Sequence, residues 1–197
     1  MNSASKKAIL VVSFGTSYEN TRKLTIEAIE HDIADAFPAC PTYRAWTSKM
    51  IIAKLKKRDG LTIHTVKEAL EQMLLDGITD VIVQPTHVIN GIENDQMKAD
   101  ALSFRDRFSS IVFGNPLLTT EEDNQAIVRV VADEFRDMDP DTALVLMGHG
   151  TEHYANTVYA ALDYRFKDTG HKNIFLGTVE AYPALDSLLR ACLLYTS

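Results

Sequence analysis

One nine-residue pattern occurs twice in this sequence and constrains the fold more than any other feature. Residues 8–16 read AILVVSFGT and residues 143–151 read ALVLMGHGT, so an apolar run ends in Gly-Thr both times. Such runs of branched side chains are typical of strands buried on both faces of a parallel sheet. The repeat predicts that the same α/β unit begins twice, although any two parallel strands followed by glycine turns would look similar.

Strands alternate with helices along the rest of the sequence. Short apolar runs predict six strands, at Ala8–Phe14, Thr42–Trp46, Asp80–Gln84, Ile111–Phe113, Ala143–Met147 and Asn173–Val179. Capping boxes predict three of the helix starts, at Thr16 with Glu19, Thr65 with Glu68 and Thr119 with Glu122. Parallel strands need helical crossovers, so we expect an α/β fold with two similar parallel-sheet domains.

A polar break, DMDPD at Asp137–Asp141, is the best candidate for a domain boundary. We therefore predict a first α/β domain at residues 1–138 and the start of a second at residues 139–191. The last six residues, CLLYTS at 192–197, are expected not to continue the final helix and to be a non-native tail. The second domain would then be incomplete, with an apolar sheet edge uncovered.

Composition disfavours several classes of function. The chain has 20 basic and 27 acidic residues, and its net charge of -7 argues against nucleic acid or an anionic membrane as partner. Its two cysteines lie far apart in sequence, which fits a reducing cytoplasm and gives no thiolate metal site. No phosphate-binding loop and no Gly-x-Ser-x-Gly motif occurs, so we expect neither a nucleotide nor serine hydrolysis.

Ligands of open α/β sheets bind at the carboxyl ends of the strands, so residues that follow the apolar runs are the first candidates. His149 is the sharpest of these, because it follows a strand and lies between Gly148 and Gly150. The glycines give a large flat ligand room to approach an imidazole, which is a natural metal ligand or proton acceptor. The alternative is a histidine that only hydrogen-bonds within the turn.

The loop after the third strand offers two further candidates. His87 follows that strand directly, and its alternative interpretation is a partly buried structural histidine. Glu93 follows Asn90-Gly91 at the expected start of a helix, where a carboxylate is also stabilised by the helix dipole.

Five motifs, taken in order, resemble those of the anaerobic cobalt chelatases of cobalamin synthesis. They are SFGTS at 13–17, YRAWTSKMI at 43–51, the loop at 84–93 with its Gly-Ile-Glu, MGHGTEHYAN at 147–156 and VEAYP at 179–183. The resemblance covers the chain to about residue 190. It implies a chelatase-like fold of two similar α/β domains with a tetrapyrrole bound in the cleft between them.

The resemblance also implies a site. His149 would be a metal ligand and the catalytic base, and Glu93 would be the acidic residue that faces it. The substrates would be divalent cobalt and sirohydrochlorin or its oxidised form, without a nucleotide. Apart from the resemblance, we expect Ser13, Thr16, Arg44 and His87 to hold the tetrapyrrole, because they lie in the segments at the strand ends.

Several points stay open at this stage. The family has a second metal-binding histidine that this sequence does not reach, so we expect an incomplete metal site. A carrier of tetrapyrrole or metal without catalysis is an alternative, as is a chelatase for iron or nickel. Assembly as a homo-oligomer is also open.

Overall fold

The computed structural model describes residues 5–139 and 141–195. These residues fall into two units that divide between Leu117 and Leu118. The predicted fold class is confirmed, because each unit is built on a parallel sheet with helices. All six predicted strands are present, with ends that differ by no more than one residue from those expected.

The sheet of the first unit has four parallel strands in the order β2-β1-β3-β4. Their bounds are β1 (Lys7–Ser13), β2 (Thr42–Trp46), β3 (Asp80–Pro85) and β4 (Ser110–Phe113). β1 pairs with β2 on one edge and with β3 on the other, and each of its residues after Lys7 is buried. This is the central position that its unbroken apolar run predicts.

Helices cover both faces of this sheet. α4 (Val66–Leu75) and α5 (Ile92–Leu102) pack on the face that carries Leu10 and Val12. On the other side, Trp46 clusters with residues of α2 (Ile26–Ala36) and α3 (Lys49–Asp59). Each fully buried Val, Leu, Ile, Phe or Met side chain contributes roughly 1.5–3 kcal/mol to folding, so the two clusters stabilise the packing of the helices on the sheet.

The second unit has a smaller parallel sheet of two strands among the residues described, β5 (Leu144–Gly148) and β6 (Ile174–Thr178). α7 (Thr157–Asp168) packs on β6 and buries Phe166 completely, and α8 (Leu185–Tyr195) also contacts β6. β6 is buried along its whole length. In β5, by contrast, Val145 and Met147 are 37% and 43% exposed.

The division between the units lies before α6 (Glu121–Glu134) and not at the polar break. α6 packs against α7, and the Arg165 guanidinium donates to the Glu121 carboxylate at 2.6 Å. The boundary predicted after residue 138 therefore falls inside the second unit. A polar segment with a proline ends a helix, but it does not decide which core that helix joins.

The starts of the helices were predicted less accurately than the ends of the strands. The capping box of α4 is confirmed, with the Thr65 hydroxyl accepting from the Glu68 amide and the Glu68 carboxylate accepting from the Thr65 amide. The box predicted at Thr119 and Glu122 is wrong by one residue, since Thr120 and Asp123 form it. Adjacent threonines and adjacent acids made both registers compatible with the motif.

Two helices near the strand ends also differ from expectation. The helix predicted from Thr16 to Pro38 is divided into α1 (Glu19–Leu24) and α2, and no side chain caps α1. The amphipathic pattern predicts a helix over Gln96–Phe108, but α5 begins earlier, directly after Gly91, and a short 3-10 turn at Arg105–Arg107 replaces the last part of the predicted helix. Glu93 consequently lies in the first turn of α5.

The expected break before residue 192 is wrong for the residues that can be compared. α8 continues through Cys192 to Tyr195, and residues 196–197 lie outside the described part of the chain. The segment Ala-Cys-Leu-Leu at 191–194 contains neither glycine nor proline, so nothing in it ends a helix. Within residues 5–139 and 141–195, no helix is both long and apolar enough to cross a membrane.

The amino end of β3 makes a testable electrostatic contribution to stability. Hydrogen bonds from the hydroxyls of Ser110, Thr79 and Ser5 lower the pKa of Asp80 to about 2. A carboxyl whose pKa falls on folding stabilises the protein above its unfolded pKa of about 4, and this contribution is lost as the pH falls towards 2. We expect Asp80→Asn to lower the urea midpoint at pH 7 and to converge with the wild type near pH 2. Glu71→Gln, which alters an exposed carboxylate on α4, is the control, and an equal loss in both variants would contradict the assignment.

Candidate functional site

The two repeated sequences fold into the same turn. A Gly-Thr pair follows shortly after the end of β1 and of β5. Its glycine has a positive φ in both cases, +101° at Gly15 and +87° at Gly150. The Thr16 hydroxyl accepts from the backbone amide two residues ahead at 3.3 Å, and the Thr151 hydroxyl does the same at 3.1 Å. Thr16 therefore shapes this turn and does not cap α1. The sequence repeat is a structural repeat.

The neighbouring strand is tied to each turn in the same way. In the first unit, the carbonyls of Ser13 and Phe14 accept from the amides of Thr47 and Ser48, at 3.0 and 3.2 Å. In the second unit, the carbonyls of Gly148 and His149 accept from residues 179 and 180, both at 3.0 Å. Phe14 and His149 thus occupy equivalent positions on equivalent backbones, each just beyond the end of a parallel strand.

His149 is exposed at this strand end, with 78% of its side chain accessible. Its Nδ1 lies 3.7 Å from a carboxylate oxygen of Glu180 and 3.2 Å from the carbonyl oxygen of Gly150. Glu180 follows β6, and its amide donates to the His149 carbonyl, so the backbone brings the imidazole and the carboxylate together. Sequence reasoning missed Glu180 as a site residue, although its place just after the neighbouring strand was a usable signal.

The glycines that flank His149 are required by packing as well as by any ligand. A Cβ at position 148 would lie 2.6 Å from the ring of Tyr159, and a Cβ at position 150 would lie 2.9 Å from the backbone nitrogen of Ala181. Contacts this short would force the neighbouring atoms to move. The glycines therefore hold the His149 backbone close to α7 and to the segment that follows β6.

In the first unit, the strand ends border a cavity of about 370 Å³. It brings together three of the expected tetrapyrrole-binding residues, Ser13, Thr16 and His87. The rest of its lining is mostly apolar or hydroxylated and includes Phe14, Thr21, Thr25, Ile26, Ile29, Thr86 and Val88. The cavity is thus an uncharged recess at the carboxyl ends of β1 and β3.

The break between α1 and α2 forms one wall of this recess. The Thr25 hydroxyl donates to the carbonyl of Thr21 at 2.6 Å, and the same carbonyl accepts from the Thr25 amide at 3.0 Å; threonine bonds of this kind often bend a helix. Thr25 itself has φ -122° and ψ -75°, outside the helical range. The bend begins α2 at Ile26, so that Ile26 and Ile29 line the cavity.

His87 is the most unusual polar group of the recess. Both of its ring nitrogens are buried and have no hydrogen-bond partner among the residues described. Burial lowers the pKa of His87, while the negative charge of nearby Glu93 opposes that shift. The imidazole is therefore neutral at neutral pH, and a buried polar group left unpaired costs roughly 1–3 kcal/mol. A ligand that hydrogen-bonds to it would recover that cost.

Arg44 does not line this recess, because it lies in the middle of β2 opposite Val11. Its Nε lies 2.8 Å from both carboxylate oxygens of Glu30 on α2, and its guanidinium lies 3.6 Å from Glu27. The hydrogen bond to Glu30 raises the pKa of Arg44. Glu30 is only 11% exposed, so the geometry assigns Arg44 to an ion pair that ties β2 to α2.

The structure supplies few metal donors in one place. Within the described part of the chain, no group of three or more His, Cys, Asp or Glu side chains is arranged to hold a metal ion. His149 and Glu180 are the pair of such side chains that meets at a strand end of the second unit. Glu93 is half-buried in the first unit, in the first turn of α5.

Comparison with known families decides what this arrangement belongs to. The family model described as cobalt chelatase (CbiK) matches residues 7–193, which includes both strand-end turns. The chain belongs to the cobalt chelatase (CbiK) family. The resemblance read from the five sequence motifs is thereby confirmed, and the match runs past residue 192 into the segment expected to be foreign.

Two curated relatives of the CbiK family are similar over most of this chain. The chain is 38% identical over 184 residues to the sirohydrochlorin cobaltochelatase of Salmonella typhimurium (strain LT2), a match that covers 93% of this chain and 69% of that protein. It is 31% identical over 191 residues to the sirohydrochlorin cobaltochelatase CbiKC of Nitratidesulfovibrio vulgaris (strain Hildenborough), covering 93% of this chain and 65% of that protein. The chain thus spans about two thirds of the length of each relative.

The turn that carries His149 can be tested by a matched pair of glycine substitutions. Gly150 and Gly170 both have positive φ, but a Cβ at Gly170 would meet nothing within 4 Å. We expect Gly150→Ala to lower the free energy of unfolding by about 3 kcal/mol and Gly170→Ala by about 1 kcal/mol. Urea unfolding measures both values. Equal losses would show that backbone strain alone, and not the approach of Ala181, requires Gly150.

The assignment of Arg44 to an ion pair predicts a loss of stability. Arg44→Gln leaves the nearly buried Glu30 without its partner, and we expect a cost of about 1–3 kcal/mol after allowing for the partial exposure of Arg44. Lys23→Gln removes a charge from an exposed pair with Glu19 and should cost less than about 0.5 kcal/mol. Chemical unfolding distinguishes the two, and an Arg44→Gln protein as stable as the control would be inconsistent with this role.

Proposed function

We propose that this protein is a chelatase that inserts Co²⁺ into sirohydrochlorin, or into its oxidised form. The observation that carries the proposal is the match to the CbiK family across both units, together with two relatives named for that reaction. The chain spans 69% and 65% of the length of those relatives, so their reaction is proposed for this protein and is not assigned to it on their names alone. Divalent cobalt is a substrate here, and the proposal requires no nucleotide.

The chemistry of metal insertion sets what the site must do. The incoming ion has to lose water, and the macrocycle has to lose two pyrrole protons as its nitrogens bind the metal. An imidazole can serve as ligand to the ion and as acceptor of a proton. Nitrogen and oxygen donors also suit a divalent first-row metal that must be passed on afterwards.

We assign the central role to His149. Its exposure leaves the imidazole accessible, and its position at a strand end is where ligands bind in this class of fold. The Glu180 carboxylate, 3.7 Å from Nδ1, can orient the ring or share the ion. Glu93 remains in the proposal as a further acidic residue that the metal meets.

The recess of the first unit is proposed to receive part of the macrocycle. Its walls at Phe14, Ile29 and Val88 suit the apolar edge of a flat ring system, and each of these side chains is between 42% and 47% exposed. The unpaired nitrogens of His87 offer a hydrogen bond, and Thr16 and Ser13 line the recess with hydroxyls, although the buried Ser13 hydroxyl already accepts from Thr86 at 2.8 Å. Arg44 is engaged by Glu30, so any contact with a substrate carboxylate would compete with that pair.

The rate of metal insertion can be measured from the change in the absorption spectrum of the tetrapyrrole after Co²⁺ is added. We expect His149→Ala to slow insertion by about 100-fold or more, the usual size of a lost proton-transfer group. Glu180→Gln should have a smaller effect, on the order of 10-fold, because it removes a charge next to the ligand. His31→Ala, which alters an exposed histidine on α2, is the control. An unchanged rate in His149→Ala would remove that residue from the site.

The same assay separates the alternatives. Tight binding of sirohydrochlorin with no acceleration over the spontaneous reaction would indicate a carrier. Faster insertion of Fe²⁺ or Ni²⁺ at equal concentration would change the metal and keep the reaction type.

The proposal also includes a cytoplasmic location, which is supported by two cysteines without a disulfide-forming pattern. Assembly as a homo-oligomer is also proposed, and gel filtration would test it.

A further inference from the structure

A second cavity, of about 670 Å³, lies in the second unit between α6, α7 and the beginning of β6. Asn173 and Ile174 border it where β6 starts, whereas His149 follows the end of β5. The two strands are parallel, so the cavity and His149 are at opposite ends of this small sheet. The cavity is therefore separate from the proposed insertion site.

Three arginines, Arg129, Arg136 and Arg165, are among the residues that line the cavity, and we call it the arginine cavity. Asp133 is the acidic residue among the side chains that line it. In a chain with 20 basic and 27 acidic residues, such a concentration of positive charge is not expected from composition. This local excess is the reason to ask what the cavity binds.

Interactions within the protein account for only one of these arginines. Arg165 pairs with Glu121 at 2.6 Å and lies in the last turn of α7, where a cation is favoured by the helix dipole. Arg129 lies before the last turn of α6, so it is not placed where the dipole of that helix favours a cation. Across residues 5–139 and 141–195, neither Arg129 nor Arg136 forms a salt bridge.

The form of the cavity restricts the kind of anion that fits. Arg129 lies on α6, whereas Arg136 lies two residues beyond the end of that helix, so different parts of the chain hold the two side chains. Apolar side chains of Val128, Ala132 and Ile174 line the space together with them. A cavity of this size falls within the range of about 300–1,000 Å³ that small-molecule sites occupy.

We propose that the arginine cavity binds a small organic anion that carries at least two separated carboxylate or phosphate groups on an apolar frame. Each guanidinium binds one oxyanion through its planar fork, and the apolar wall contacts the frame. A single inorganic ion fits less well, because it offers no apolar frame for the wall of Val128, Ala132 and Ile174 to contact. The inference rests on the second unit alone and is independent of cobalt insertion.

Isothermal titration calorimetry with benzene-1,3,5-tricarboxylate tests the proposal, since this probe carries three carboxylates on an apolar ring. We expect a Kd below about 1 mM for the wild type at low salt, and a loss of about 10- to 100-fold in Arg129→Gln/Arg136→Gln, as for removed charged hydrogen bonds. Arg129→Lys should give an intermediate loss, because lysine keeps the charge without the fork. Both arginines are exposed, and circular dichroism checks that each variant folds.

The control removes two positive charges elsewhere. Lys54→Gln/Lys57→Gln alters exposed lysines on α3 of the first unit and should change the Kd by less than about 2-fold at constant ionic strength. An equal loss in this control would overturn the proposal, as would unchanged binding in the arginine variant. Binding of inorganic phosphate as tight as that of the tricarboxylate would overturn the requirement for an apolar frame. A bisphosphate that binds more tightly than the tricarboxylate would support the site and identify phosphate as the preferred group.

Discussion

The hydrogen bonds that join neighbouring strands just beyond their carboxyl ends are the constraint on which the rest of this structure depends. Two consecutive carbonyls after β1 accept from two consecutive amides after β2, and the same pair of bonds recurs after β5 and β6. These bonds fix the turn that contains Gly15 or Gly150, and so they fix the direction of the residue before it. Phe14, Thr16 and His149 inherit their positions from this backbone arrangement.

Sequence patterns gave the strands within one residue, because branched apolar runs have few alternatives to a buried parallel strand. Helix starts were less certain, since α6 has two overlapping capping registers in its sequence. The helix break at Thr25 could not be read from apolar spacing, because that spacing carries no information about the hydroxyl bond found there. The final helix continues past the point where a break was expected, because residues 191–194 contain neither glycine nor proline.

The site was predictable only where position along the chain decides it. His149 and His87 follow strands directly, and each lies at a strand end in the structure. The pairing of His149 with Glu180 and of Arg44 with Glu30 depends on which elements become neighbours, and no spacing in the sequence encodes those contacts. Arg44 illustrates the difference, because a charged side chain on the edge strand β2 was equally compatible with a ligand or with α2.

The exposed position inside the repeated turn has a wider consequence. The first unit carries Phe14 there and the second carries His149, on backbones with the same hydrogen bonds. The turn therefore tolerates side chains of very different chemistry without changing its own geometry. A duplicated scaffold of this kind can diverge by a single codon, with one copy offering an aromatic surface and the other an imidazole.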